Sequence, residues 1–428
     1  MIALSCVLPS GTALQSIRVQ STLLGKDLLD LVSQQQYPGD DGVLAKLLHK
    51  QVFIDKLLPL AQQEITDGTQ LTLVWVRIPE DQRQAVIQKL ERGGQISSDE
   101  DEDALNSIRN MHWNGGTLDN VPLPTGLMSL TFGCDFNQPL DHTSLPSGLE
   151  SLTFGRDFNQ PLDKTNLPSG LKHLTFGKYF RHSLDNTNLP SGLQSLTFEV
   201  ISLFNKSLVN TKFPSGLQNL TLSEYFHQSL DNTTFPSGLR NLTFGDSFNK
   251  RLDNAKLPSG LRSLTFGGCY NETLYKTNLP SGLQNLTFGQ DFNQKLHSTS
   301  LPTGLHSLTF GRDFNQMLGN VNLPSGIQNL KFGCDFNRPL DHTNLPSGLQ
   351  NLTFGRDFNQ PLDRTNLPSG LRSLTFGDEF NQPLDKTTLP SGLASLTFGR
   401  CYNQSLDNVD LPSGLEIHWT KRICPAVL

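Results

Sequence analysis

The chain has 428 residues, and its 34 Lys and Arg against 40 Asp and Glu leave a formal charge of −6. That balance gives no electrostatic case for a nucleic-acid or anionic-membrane partner. No stretch approaches the roughly 18 consecutive apolar residues that would suggest a membrane span. Most of the 36 Gly and 25 Pro recur at fixed positions, so they punctuate turns and do not mark low complexity.

In chain order, residues 1–78 are irregular and mixed. Ala3 to Leu8 and Ser16 to Val19 read as two strands joined by a Pro-Ser-Gly turn. Gly25 to Gln34 reads as an amphipathic helix with Leu28, Leu29, Leu31 and Val32 inward. Val43 to Phe53 suggests short strands, and Gln70 to Val76 a final strand behind an Asp67-Gly68-Thr69 turn. The order ββαββ resembles a ubiquitin-like β-grasp. The resemblance implies a recognition module, because the chain continues past Val76 without a terminal Gly-Gly. A small α+β domain of another fold is the alternative. The first residues, Met1 to Pro9, lack a basic n-region, which predicts no secretory signal and a cytoplasmic location.

Residues 79–104 form the second segment, with a charged helix expected over Pro79 to Gly94. The run Ser97-Ser98-Asp99-Glu100-Asp101-Glu102-Asp103 reads as a solvated acidic linker. Leu105, Ile108, Trp113 and Leu118 then look like the degenerate first turn of a repeat array.

The third segment, residues 105–428, repeats one phrase: Leu-Pro-Ser-Gly-Leu-x-x-Leu-Thr-Phe-Gly-x-x-Phe-Asn-x-x-Leu-Asp-x-Thr, plainest from Leu345 onward. Its proline recurs from Pro124 to Pro412 at intervals of 22 residues, except for the 24 between Pro190 and Pro214. A fixed period of this length defines a solenoid whose turns bury their apolar sides only against neighbouring turns. In one turn Leu352 and Phe354 alternate with Asn351 and Thr353 as a short strand. Leu349, Phe358, Leu362 and Leu367 complete six inward anchors. Gly355 ends the strand, and Pro368-Ser369-Gly370 makes the next corner. The Asn after the aromatic residue, as at Asn337, Asn359 and Asn381, predicts an amide ladder that satisfies turn backbone. At the far end Leu415, Ile417 and Trp419 begin a last strand, and each end carries a Trp placed to lid the core.

Leu349-x-x-Leu352-x-Phe354 matches the strand half of a leucine-rich repeat. The Phe358-Asn359 pair and the Leu-Pro-Ser-Gly-Leu corner depart from it, and together they resemble the FNIP repeat over about residues 118–417. That resemblance implies a mainly β, right-handed leucine-rich-repeat-like solenoid with one long parallel sheet, and a role as a non-enzymatic interaction scaffold. It brings no catalytic residues.

A search for chemistry yields none: no phosphate-binding loop, no His-Glu-x-x-His, no Cys-x-x-Cys and no nucleophile elbow. Neither a catalytic role nor a cofactor or metal is therefore assigned. Stacked turns advance by roughly 4.8 Å. Cys134, Cys269, Cys334 and Cys401, each at least three turns apart, therefore cannot pair with one another within the chain. An acidic column, Asp291, Asp313, Asp335, Asp357 and Glu379, could gather a cation. Arg312 and Arg356 beside it would neutralise it without one.

The candidate partner site is the segment where the repeat loosens. Arg181-His182 replaces Asn-Gln, and His227 replaces Asn. The two-residue insertion places Glu199 to Leu203 in a turn, so that Val200, Ile201 and Leu203 protrude near Tyr179 and Tyr225. Drift within a tolerant array is the alternative. The expected function is protein binding through Tyr179, Arg181, Val200, Ile201, Leu203, Tyr225 and His227. The rivals are a ubiquitin-pathway adaptor acting through residues 1–78 and a structural repeat protein with no dedicated partner.

Overall fold

The computed structural model describes residues 2–7, 17–20, 22–23, 25, 28, 43–49, 52–54, 59–66, 69–296 and 301–420. By their contacts these divide into two compact units, residues 1–133 with 143–151, and residues 134–142 with 152–428.

The first unit begins with a five-stranded sheet. Its strands are β1 (Ile2–Val7), β2 (Ile17–Val19), β3 (Val43–His49), β4 (Val52–Phe53) and β5 (Gln70–Arg77). The order is β2-β1-β5-β3-β4. The β1–β5 pair is parallel, with Cys6 opposite Leu71, and the other neighbours are antiparallel. Leu4, Val19, Leu28, Leu47, Leu60 and Leu73 form its core. Leu28 is helical and buried, but the rest of the helix expected over Gly25 to Gln34, apart from Gly25, lies outside the described residues, as does the Pro-Ser-Gly turn. Asp67 and Gly68 lie outside them too; beside them Thr69 donates its amide to the Thr66 carbonyl at 3.1 Å.

Helix α1 (Glu80–Glu91) comes next, with Glu80 and Asp81 in its first turn and Lys89 in its last, each matched to the helix dipole. Gly93, at φ 78°, ends it. Gly93 and Gly94 return their amides to the carbonyls of Leu90 and Lys89, the pairing of a Schellman stop.

The acidic run is a correction. Asp99–Asn106 is a helix, α2, and not a solvated linker. Ser98 caps it by accepting the Asp101 amide at 3.1 Å, and four acids, Asp99 to Glu102, fill its first turn, where the dipole favours them. Ala104 and Leu105 are buried. Asp103 pairs with Lys46 of β3, and Asp101 with Lys89 of α1 at 2.6 Å.

The repeats supply a 15-stranded sheet running in unbroken chain order from β6 (Asn110–Trp113) to β20 (Glu416–Trp419). Between them β7 to β19 are strands of three or four residues, from Ser129–Phe132 to Ser395–Phe398. Pairing is parallel and sets equivalent residues side by side, Leu352 beside Leu330 and Leu374. Register survives the insertion, because Leu196 still pairs with Leu220. The extra residues fall in the loop after the strand.

Inside, the Phe of the strand and the Phe after the glycine stack within each turn at centroid distances of 3.7–4.0 Å. Both continue into neighbouring turns, the first at 5.3–5.7 Å and the second at 5.8–6.3 Å. Two columns of offset aromatic rings result. Leu222 interrupts the first, and Tyr270 and Tyr402 enter the second.

The expected sixth anchor is also corrected. Leu367 is only half-buried, and Thr365 is buried in its place. Thr365 ends a tight turn closed by its own amide on the Leu362 carbonyl, which points it inward. Val321 and Val409 are buried at equivalent positions, so the column selects β-branched shape over the hydroxyl.

Gly355 and the Pro corner behave as the sequence predicts. A Cβ on Gly355 would lie 1.8 Å from the Gly333 carbonyl oxygen of the adjacent turn, and Leu371 donates to the Pro368 carbonyl at 3.0 Å. No helix among the described residues is long and apolar enough to cross a membrane.

Candidate functional site

The amide ladder frames the site. Each Asn side-chain oxygen accepts the backbone amide at the equivalent position of the next turn at 2.8–3.1 Å, as in Asn159 onto Asn137 and Asn359 onto Asn337. The Gln after the Asn adds a second bond to the same oxygen, as Gln360 does at 2.9 Å. A short polar side chain thereby satisfies backbone that strand pairing does not reach. Along the sheet's outer face the polar residues also bond each other, Asn351 Nδ2 to Asn329 Oδ1 at 2.7 Å.

The ladder is half-kept where the sequence breaks it. Arg181 still donates its amide to Asn159 Oδ1 at 3.0 Å, and His182 Nε2 reaches the Asn159 carbonyl at 3.1 Å, in the place of the usual Gln. His227 donates its amide to Asn205 at 3.1 Å. Its ring folds back, with Nδ1 donating to the Tyr225 carbonyl at 2.9 Å and Nε2 accepting from Asn205 Nδ2 at 3.0 Å. Both residues receive the ladder, and neither side chain offers the amide oxygen that would pass it on.

Between these breaks lies the insertion. Glu199 stands where most turns have glycine, and burial pushes its carboxyl up from the ordinary carboxylate range. Leu203 donates its amide to the Lys178 carbonyl at 2.7 Å, and Glu224 donates to Val200 at 3.0 Å. Two serines hold the loop from below. Buried Ser202 donates its amide to Glu199 at 2.8 Å, and the buried Ser223 hydroxyl donates to the Phe204 carbonyl. With its base anchored, the loop tip projects: Val200 is 75% exposed and Ile201 49%.

Tyr179, Leu203 and Tyr225 occupy one position in three consecutive turns, immediately before the inward aromatic residue. Tyr179 and Tyr225 are exposed at 37% and 44%, and Leu203 is half-buried. Elsewhere the column carries mostly acids. The Lys178 ammonium lies 5.4 Å from the Tyr179 ring centroid, a contact that adds a positive charge to the patch. The structure thus places the five apolar site residues along one edge, with Arg181 and His227 exposed two positions beyond the tyrosines. Sequence reasoning missed Ser202, Ser223 and Lys178. Ser223 alone left a signal, as a departure from the repeat's glycine.

Elsewhere, no three His, Cys, Asp or Glu among the described residues converge on a metal position. In the acidic column Arg356 Nε reaches Asp357 at 2.7 Å. Cys134, Cys269, Cys334 and Cys401 are exposed at the surface, and the Cys401 thiol reaches Glu379 at 3.9 Å. A shallow hollow of about 670 Å³ lies beside Asp231, Asp253, Ala255 and Lys256. It opens where Ala255 replaces the threonine of neighbouring turns.

The fold and the ladder define a solenoid protein of the leucine-rich-repeat kind. The FNIP Repeat family profile matches residues 116–157, 158–199 and 204–247, then in overlapping pairs of turns to residue 401. The chain belongs to the FNIP-repeat family. It is similar to the solved structure of CroV588, described as a novel circular LRR protein, at 34% identity and a TM-score of 0.62, over 72% of this chain and 51% of that one. The chain therefore spans about half the length of that protein. An internalin (inlF) from Listeria monocytogenes aligns at 14% identity and a TM-score of 0.45, over 79% of this chain and 93% of its own. A search of curated proteins found no match.

Proposed function

We propose that the chain is a non-enzymatic protein-binding scaffold whose partner docks on the edge formed by Tyr179, Val200, Ile201, Leu203 and Tyr225, with Arg181 and His227 at its border. One observation carries the reading. Of the ten large hydrophobic side chains exposed among the described residues, four, namely Tyr179, Val200, Ile201 and Tyr225, belong to this one edge. Single exposed apolar residues are ordinary, whereas clustered ones mark interaction surfaces, and Tyr and Arg are the side chains that dominate binding energy. The Ser/Asn/Thr face of the sheet is uniform and bonded to itself, which makes it the poorer docking surface.

A second reading rests on the strand order β2-β1-β5-β3-β4 with its parallel β1–β5 pair. It is the order expected of a ubiquitin-like β-grasp, and it supports a recognition role for residues 1–78, including an adaptor in the ubiquitin system. One experiment separates the two. Proximity capture is run with the full chain, with Val200→Glu/Ile201→Glu, and with the chain lacking residues 1–78. Partners lost only in the double variant, at unchanged thermal unfolding, support the loop. Partners lost only with residues 1–78 support the adaptor. A full chain that captures no partner leaves a structural repeat protein.

A further inference from the structure

At the C-terminal end of the sheet, β20 pairs with β19 on one side only, with Ile417 beside Leu396 and Trp419 beside Phe398. Among the described residues nothing pairs with its other edge. The aromatic columns also stop there. The Trp419 ring lies 5.1 Å from Phe398 and 6.0 Å from Tyr402, yet it is 54% exposed, and Leu411 is exposed as well. An unpaired edge beside an uncovered core end is a template for another strand.

The edge is self-complementary. Glu416 and Thr420 donate their amides inward, to Ala394 at 2.9 Å and Phe398 at 3.1 Å. By strand alternation the main-chain groups of Leu415, Ile417 and Trp419 turn to the free side. An antiparallel pair needs such groups directly opposite one another. A two-fold axis at Ile417 provides this, setting Ile417 against Ile417 of a second copy and Leu415 against Trp419 of that copy. The core-side residues Leu415, Ile417 and Trp419 then meet only apolar residues. The intervening outward pair sets Glu416 against His418 of the copy, twice by symmetry. Within one chain these two side chains already lie 3.6 Å apart. Centring the axis on Glu416 or on His418 would set like residues against each other, and an axis between residues would put apolar side chains on the polar face.

We propose that two copies of this chain associate through β20 as an isologous antiparallel pair centred on Ile417, closing the sheet end of each. Glu416 and His418 set the register, and the uncovered apolar end supplies the burial.

Sedimentation velocity on the full chain tests this, with a species of twice 47.4 kDa expected at micromolar concentration. His418→Glu places carboxylates opposite one another twice and weakens dimerisation about tenfold, while Glu416→Lys sets an ammonium against each imidazole and weakens it less. The combined E416K/H418E chain regains the wild-type constant. Ile417→Pro removes an amide that faces the free edge, where proline is tolerated, and gives a monomer with unchanged circular dichroism. Three results would overturn the proposal. One is a monomer at every concentration. Another is a dimer indifferent to I417P and to the charge swap. The third is a monomer that dimerises only once residues 421–428 are removed, which would make that segment the occupant of the edge.

Discussion

The two ends of the repeat sheet carry the same residue type in opposite circumstances. At the N-terminal end Trp113 closes β6 at 1% exposure, and its indole donates to the Gly116 carbonyl at 3.0 Å. Val86, Ile87 and Leu90 of α1 are buried, and Glu91 accepts the Asn114 amide at 2.6 Å. At the C-terminal end Trp419 has its ring on the last aromatic residues and more than half its surface uncovered. Both tryptophans sit where the sequence asks for a lid. Among the described residues only the first is one, because only there does a helix supply a second layer. A solenoid end costs little when something covers it, and otherwise it is a binding surface.

The largest expected effect separates the two lids. Trp113→Ala should cost about 3–5 kcal/mol, read as a lower midpoint in urea unfolding. Trp419→Ala in a monomeric background should cost less than about 1 kcal/mol. Equal losses would show that the two ends are covered alike. Gly115→Ala comes next, because its Cβ would stand 2.6 Å from the Trp113 ring and 3.1 Å from the Glu91 backbone. Forced repacking of that kind costs roughly 1–3 kcal/mol, visible as a drop in Tm. Gly414, at the open end, has no atom within 4 Å of the added carbon, only its φ of 82°. There alanine should cost about 1–2 kcal/mol from backbone strain alone. Ser98→Ala removes the α2 cap and should cost about 1 kcal/mol, while Ser98→Asp restores it.

The smallest effect is electrostatic. The hydrogen bond from Lys89 holds the Asp101 carboxyl below its usual range. A depressed acid stabilises the fold above its unfolded pKa, and that contribution is lost as pH falls through the folded value. The protection of α1 and α2 amides relative to unstructured exchange should therefore fall below about pH 4 and lose that dependence in Lys89→Met. Protection that stays flat into acid would mean the pair does not hold the helices together.

The repeat was legible because each turn meets a copy of itself. Leu352, Phe354 and Phe358 need no distant partner to be placed; the period brings their equivalents alongside. The Asn ladder was legible for the same reason. Less of residues 79–118 could be read. Asp99 to Asp103 have the composition of a linker, and nothing local reveals that Lys46 and Lys89 wait for Asp103 and Asp101. Thr365 was missed and Leu367 overrated because the hydropathy of a side chain does not say which way a two-residue turn points it. At the candidate site the insertion was plain in the spacing and the exposure of Val200 came with it. The Ser202 and Ser223 contacts that anchor the loop depend on how three turns stack.

By itself, then, the sequence determined the period, the parallel register, the alternation of buried and exposed strand residues and the place of the insertion. All of these come from self-similar neighbours a fixed distance apart. The tertiary structure decided which end of the sheet is covered, that the acidic run is a capped helix, and which inserted residues face outward. Each of those depends on contacts between segments that do not repeat, and no period carries that information.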